Sequence, residues 1–192
     1  MNSNLILASA SPRRKELLEL LQIPFEVIVS EVEEIVDEKL HPAEMVQSLA
    51  QQKALSVAKT NQTSFVIGSD TLVVYGGRML GKPTNKSEAI EMLQMLSGKT
   101  HDVFTGVAII NGEQVHSFFE KTSVTFFSLS HKEIVDYVST GEPMDKAGAY
   151  GIQGYGALLV ERIFGDYYSV VGLPVARTHR ELLNMGFKHC KN

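Results

Sequence analysis

The stretch Ser64-Phe65-Val66-Ile67-Gly68-Ser69-Asp70-Thr71-Leu72-Val73-Val74-Tyr75-Gly76-Gly77-Arg78-Met79-Leu80-Gly81-Lys82-Pro83 decides the fold. Residues 64–68 read as a buried strand. Ser69-Asp70-Thr71 reads as a turn just past its C-terminal end, and residues 72–75 resume an extended run. Gly76-Gly77 supplies two left-handed positions, the requirement of a tight hairpin turn. A hairpin returns the chain antiparallel, so the sheet around it cannot be all parallel. Gly81-Lys82-Pro83 then reads as a loop.

Outward from this stretch, helices and strands interleave. Toward the N-terminus, residues 5–8 form a short buried strand. Ser11-Pro12 opens a helix, with Ser as cap and Pro tolerated at the first helical position. Leu17, Leu18, Leu20 and Leu21 are its expected buried stripe. Residues 25–29 alternate like a strand, residues 31–37 form a carboxylate-rich loop, and residues 42–58 read as a helix with Met45, Leu49 and Leu55 on its core face. Toward the C-terminus, Asn85 and Glu88 form a capping pair for a helix that stops at Gly98. Residues 101–110 and 115–127 are strands around an Asn111-Gly112 hairpin turn. Ser130-His131-Lys132-Glu133 matches a capping box whose helix ends near Gly141. Residues 148–156 form a glycine-punctuated loop, 157–163 a strand and 174–183 a last helix. The pattern predicts an α/β fold with a mixed twisted sheet flanked by helices.

The 192 residues fit one domain, with 44% hydrophobic and 21% charged content typical of a globular chain. Apolar runs are short and broken by Gly, Asp or Lys, so no transmembrane helix is expected. Met1-Asn2-Ser3-Asn4 carries no positive charge ahead of Leu5-Ile6-Leu7, unlike a secretory signal. The one cysteine, Cys190, offers no internal disulfide, which points to a reducing cytoplasm. A net charge of −4 argues against a non-specific nucleic-acid binder, which needs a broad basic surface. It does not argue against a small phosphorylated ligand.

Four segments carry candidate chemistry. In Leu7-Ala8-Ser9-Ala10-Ser11-Pro12-Arg13-Arg14 a strand runs into small residues and a helix N-terminus with two arginines. Free N–H groups and a guanidinium fork suit an anion, although spacing alone favours an ordinary capped helix with two solvated arginines. Glu33 in the acidic loop and Asp70 are carboxylates that, brought together, could hold Mg²⁺, with a solvated loop and a turn residue as the plain alternatives. Lys53 on the second helix, where a surface lysine is the plain reading, and Lys82 in its loop are further cations that spacing alone would not single out. Three glycines, Gly148, Gly151 and Gly154, fall in seven residues of segment 145–154 and shape a loop around Gln153. Its amide matches the imide edge of uracil or thymine, yet can flip, so alone it does not reject cytosine. The spacing is neither a Walker nor a dinucleotide fingerprint.

In this order the segments closely resemble the Maf family. The likeness rests on Ser9-x-Ser11-Pro12-Arg13-Arg14, Ser69-Asp70-Thr71, Gly81-Lys82-Pro83, Leu96-Ser97-Gly98, residues 145–154, and Gly165-Asp166-Tyr167-Tyr168-Ser169-Val170-Val171-Gly172-Leu173-Pro174. It runs over essentially the whole chain, as one Maf-like domain of residues 1–192. The resemblance implies an elongated two-lobed α/β body with a central cleft, similar to inosine triphosphate pyrophosphatases. It implies a nucleoside triphosphate pyrophosphatase acting on dTTP and UTP, modified pyrimidine nucleotides included. By that likeness Asp70 is the proton acceptor, Ser9, Arg14, Lys53 and Lys82 grip phosphates, and Glu33 with Asp70 lies near a divalent metal, Mg or Mn. Arg13, Thr71 and Gln153 match positions tied to substrate choice. The likeness also suggests a homodimer. A small apolar residue is expected at position 69, where this chain has Ser69. Two rival expectations are a 7-methyl-GTP pyrophosphatase and a non-enzymatic nucleotide-binding regulator of septum formation.

Overall fold

A computed structural model describes residues 3–37 and 39–189. Cys190 lies outside the described residues, as do Met1 and Asn2. The strands are β1 (Leu5–Leu7), β2 (Glu26–Val27), β3 (Phe65–Tyr75), β4 (Arg78–Leu80), β5 (Thr100–Asn111), β6 (Gln114–Phe126) and β7 (Val160–Phe164). The helices are α1 (Pro12–Glu19), α2 (Pro42–Ala58), α3 (Lys86–Leu96), α4 (His131–Ser139), α5 (Tyr167–Val171) and α6 (Val175–Asn184). The strands form one sheet in the order β2-β1-β3-β5-β6-β7, with β4 paired to β3. β1 pairs parallel with β2 and β3, whereas β4 and β7 pair antiparallel. The sheet is mixed, as the Gly76-Gly77 hairpin requires. Both glycines are left-handed (φ +58° and +78°), and Tyr75 pairs with Arg78 across them.

The chain divides into two compact units, with β3, β5 and β6 passing through both. The first comprises residues 1–70, 105–120 and 172–192. In it α2 buries Ala50, Ala54, Val57 and Ala58 with Ile6, Ala8, Val66, Ala108 and Ile110. Two glycines let helix and strands approach backbone to backbone. A Cβ on Gly68 would stand 2.2 Å from the Ala50 carbonyl oxygen, and one on Gly106 would stand 2.3 Å from the Val46 backbone. The second unit, residues 71–104 and 121–171, packs α3 and α4 over Val73, Leu80, Val103, Val124 and Phe126. Its helices are capped as their sequences predict. Asn85 accepts from the Glu88 N–H, and Ser130 and Glu133 form a reciprocal capping box.

Several expectations change. Ser69-Asp70-Thr71 is not a turn; it lies inside the eleven-residue β3, which runs unbroken to Tyr75. Ser69 is fully buried, and its hydroxyl reaches the Gly106 and Gly172 carbonyls. A polar residue bonded this way need not interrupt a strand. Leu20 is exposed because α1 ends at Glu19, and Leu55 is exposed because it lies off the Ala50-Ala54-Val57 face. The strand expected at 25–29 shrinks to an edge pair. The β5–β6 turn is Gly112-Glu113, one residue later than expected, since the left-handed site falls on Gly112 (φ +58°). Residues 154–159 form a 3-10 turn, so β7 starts only at Val160. The short α5 was not anticipated; the Asp166 carboxylate accepts from the Ser169 N–H and starts it.

Candidate active site

The C-terminal end of β1 leads through Ala8 to Ser9, whose side chain is buried. Its hydroxyl accepts from the Ser11 N–H (3.2 Å) and from Arg14 Nη1 (3.3 Å). Ser11 caps α1 and so fixes the first turn that carries Arg13 and Arg14. Arg14 Nε donates to the Gly172 carbonyl at 2.9 Å, and Ser69 donates to the same oxygen at 3.0 Å. The guanidinium is thus anchored on one side by the closing segment and on the other by Ser9. Burial holds the Arg14 pKa below its ordinary value, with the like charge of Arg13 adding, while Asp70 and Glu34 oppose. The proximity of those carboxylates keeps the cation compensated.

On β3, Gly68 and Asp70 share one face by the two-residue alternation of a strand. On α2, Ala50, Lys53 and Ala54 share one face by the three- and four-residue spacing of a helix. Gly68 meets Ala50 and Ala54, so Lys53 falls against Asp70. Lys53 Nζ lies 2.5 Å from Asp70 Oδ1 and 3.2 Å from Glu34 Oε1, with side-chain exposures of 15%, 17% and 39% respectively. Lys53 is therefore no surface lysine. The acidic loop is docked on α2 by Gln52, which accepts from the Ile35 N–H (2.8 Å) and donates to the Ile35 carbonyl (3.0 Å). That docking delivers Glu34 to Lys53. Glu33 is exposed, and among the described residues no ion pair joins it to Lys53.

In the second unit, Thr71 lies within β3, Lys82 follows β4, and Gln153 lies in the glycine-rich loop. Lys82 and Gln153 are exposed. Their loops are tied together, because the Gly148 N–H donates to the Gly81 carbonyl at 3.0 Å. Gly148 is left-handed (φ +67°), and a Cβ there would press on Val73. Close packing as well as backbone conformation thus requires glycine at 148.

Two carboxylates converge on one cation position beside an anchored arginine. Hard oxygen donors of this kind fit Mg²⁺ or Mn²⁺, which complete their shells with water and phosphate oxygens. Among the described residues no group of three His, Cys, Asp or Glu forms a closed metal cage. Sequence reasoning reached Asp70, Lys53, Arg14 and Ser9, but missed Glu34, Ser69 and the Gly172 carbonyl. Nothing in the run Glu31 to Glu34 distinguishes one carboxylate from its neighbour until the Gln52–Ile35 pair sets the register.

Fold and cluster together define an α/β protein with a partly buried cation–carboxylate cluster of Lys53, Asp70 and Glu34 and an anchored Arg14. The model of the Maf-like protein family matches residues 4–185. A dTTP/UTP pyrophosphatase of Bacillus cereus (strain G9842) is 60% identical over 178 residues, covering 93% of each chain. That of Bacillus cytotoxicus is 60% identical over 177 residues, covering 92% of this chain and 93% of the relative. The chain belongs to the Maf family. Among solved structures, the Staphylococcus aureus Ham1 protein overlaps with a TM-score of 0.41 and 18% identity, over 65% of this chain and 72% of that one.

Proposed function

We propose that this protein hydrolyses dTTP and UTP to the monophosphate and pyrophosphate. The observation that carries the reading is the Lys53–Asp70–Glu34 cluster beside the anchored Arg14. It sits in a chain whose 60%-identical relatives bear the name dTTP/UTP pyrophosphatase. A triphosphate carries about four negative charges, which must be offset before a water can approach the α-phosphorus. Arg14, Lys53 and Lys82 offset them, and Ser9 donates its hydroxyl hydrogen to a phosphate oxygen. Asp70 takes a proton from the attacking water as its oxygen bonds to the α-phosphorus. The α–β bridging bond breaks, and pyrophosphate leaves. A divalent cation held by Asp70 and Glu34 would add charge neutralisation on the leaving group. Arg13, Thr71 and Gln153 read the nucleotide, with Gln153 facing a pyrimidine edge.

The net charge of −4 favours a free nucleotide over nucleic acid as ligand. Among the described residues no helix is long and apolar enough to cross a membrane. A cytoplasmic enzyme would meet its substrate in the nucleotide pool, and a homodimer is the assembly that sizing would check. The test is pyrophosphate release from canonical and modified triphosphates with Mg²⁺ or Mn²⁺, and with chelator. Turnover of dTTP and UTP that chelator abolishes is expected. A preference for 7-methyl-GTP would keep the reaction and overturn the substrate, whereas no turnover of any nucleotide by folded protein would overturn both.

A further inference from the structure

The glycine-rich loop around Gln153 contains one carboxylate contact that the proposed chemistry leaves unexplained. Glu142 begins a 3-10 turn (Glu142–Asp145) directly after left-handed Gly141. Its Oε2 accepts from the Tyr155 N–H (3.0 Å), and its Oε1 accepts from the Gly156 N–H (3.1 Å) and the Tyr137 hydroxyl (3.0 Å). The Tyr137 oxygen in turn accepts from the Gly151 N–H at 3.2 Å. One carboxylate and one phenol therefore grip the backbone on both sides of Gln153. The fit is tight: a Cβ on Gly154 (φ +61°) would stand 2.7 Å from Glu142 Oε2, and one on Gly156 would stand 2.0 Å from the Gly151 carbonyl oxygen. Lys146 braces the other side, its Nζ donating to the Glu142 carbonyl, and its stem would be struck by a Cβ on Gly151.

Charge-assisted bonds to three donors are strong and directional. Burial, followed by the neighbouring Glu142 charge, pushes the Tyr137 phenol well above its ordinary range, so it stays protonated as a donor. By contrast, the Gln153 side chain is exposed, and among the described residues its amide has no hydrogen-bond partner. A flexible amide on a flexible loop discriminates poorly between bases, because either orientation can be adopted at little cost. An amide on a clamped backbone presents its edge from a fixed origin.

We propose that Glu142, acting with Tyr137, is the positioning residue for base selection, holding residues 151–156 so that Gln153 meets the pyrimidine edge in one register. The inference rests on the reading above that Gln153 faces the base. Glu142 touches no reacting atom. Its loss should change which nucleotide is accepted far more than how fast a bound one is cleaved.

The experiment measures kcat and KM for dTTP, UTP, CTP and GTP with wild type, Glu142→Gln, Tyr137→Phe, Gln153→Ala and the Glu142→Gln/Gln153→Ala double variant. For Glu142→Gln the kcat/KM ratio of UTP over CTP is expected to fall about tenfold, chiefly through KM, with exchange of the Gly151 and Gly156 amide hydrogens accelerated. With Gln153 already removed, the same change should leave the ratio where it is. A folded Glu142→Gln protein with the wild-type ratio, an equal kcat loss on every substrate, or the same ratio loss with and without Gln153 would each overturn the proposal. Should Glu142→Gln not fold, Tyr137→Phe, which keeps the ring, decides by the same ratio with an expected fall of about threefold. A wild type indifferent to the base would instead sink the pyrimidine reading, and this proposal with it.

Discussion

Lys53 on α2 and Asp70 on β3 meet at 2.5 Å, although 17 residues separate them in the chain. The pair gives both the carboxylate and the cation a fixed orientation. For Asp70→Asn the fold is expected to persist, since the amide is isosteric and the side chain is partly exposed. Turnover should drop at least about a hundredfold, the scale of a lost general base. Pyrophosphate release checks this, and near-wild-type activity would refute the role.

Glu34 and Glu33 should separate cleanly. Glu34→Gln removes the carboxylate that faces Lys53 at 3.2 Å. It should raise the Mn²⁺ concentration needed for half-maximal activity by about tenfold, on the scale seen when metal-site support is lost. Glu33→Gln should stay near wild type. Metal titration of both variants reads the difference, and the reverse result would return the metal role to Glu33.

Gly68→Ala tests how the pair is brought together. The new methyl would collide with the Ala50 carbonyl oxygen and the Ala54 nitrogen, both backbone atoms of α2. Helix and strand must then part, at a cost of about 1–3 kcal/mol of unfolding free energy. Urea unfolding measures the cost. Activity should fall as well, by more than the fraction unfolded, because Lys53 retreats with the helix.

His101 makes stability depend on pH. It is 2% exposed, stacks edge-on against Phe126 and Tyr150, and shares a 2.7 Å hydrogen bond with the Tyr150 hydroxyl. Burial lowers its pKa from 6.5 to about 4, with Asp102 opposing. The unfolded chain therefore binds this proton more readily than the native one. The stability contribution is complete above pH 6.5 and is lost as pH falls toward 4, amounting to about 3 kcal/mol. Denaturation at stepped pH should show that slope, and His101→Gln should flatten it.

Much of the architecture was legible because it is local. The limits of α2, the Gly76-Gly77 turn and the Ser130–Glu133 capping box follow from propensity, left-handed glycine and side-chain caps. The Ser69-Asp70-Thr71 segment misled because polar residues usually mark turns. Here Ser69 finds two carbonyls, from Gly106 and Gly172, far along the chain. Leu55 misled because helix periodicity alone does not say which face a partner will cover.

By itself, the sequence determined the mixed α/β class, the order of elements and the set of residue types able to hold a polyanion. Each depends on a few neighbouring residues and on the spacing of apolar positions. Only tertiary structure decided that Glu34 rather than Glu33 reaches Lys53, that Ser69 and Arg14 share the Gly172 carbonyl, and that Glu142 clamps the loop carrying Gln153. These are long-range or register-dependent contacts. They are selected when whole elements pack, since a buried cation or carbonyl must find its partner wherever the chain brings one.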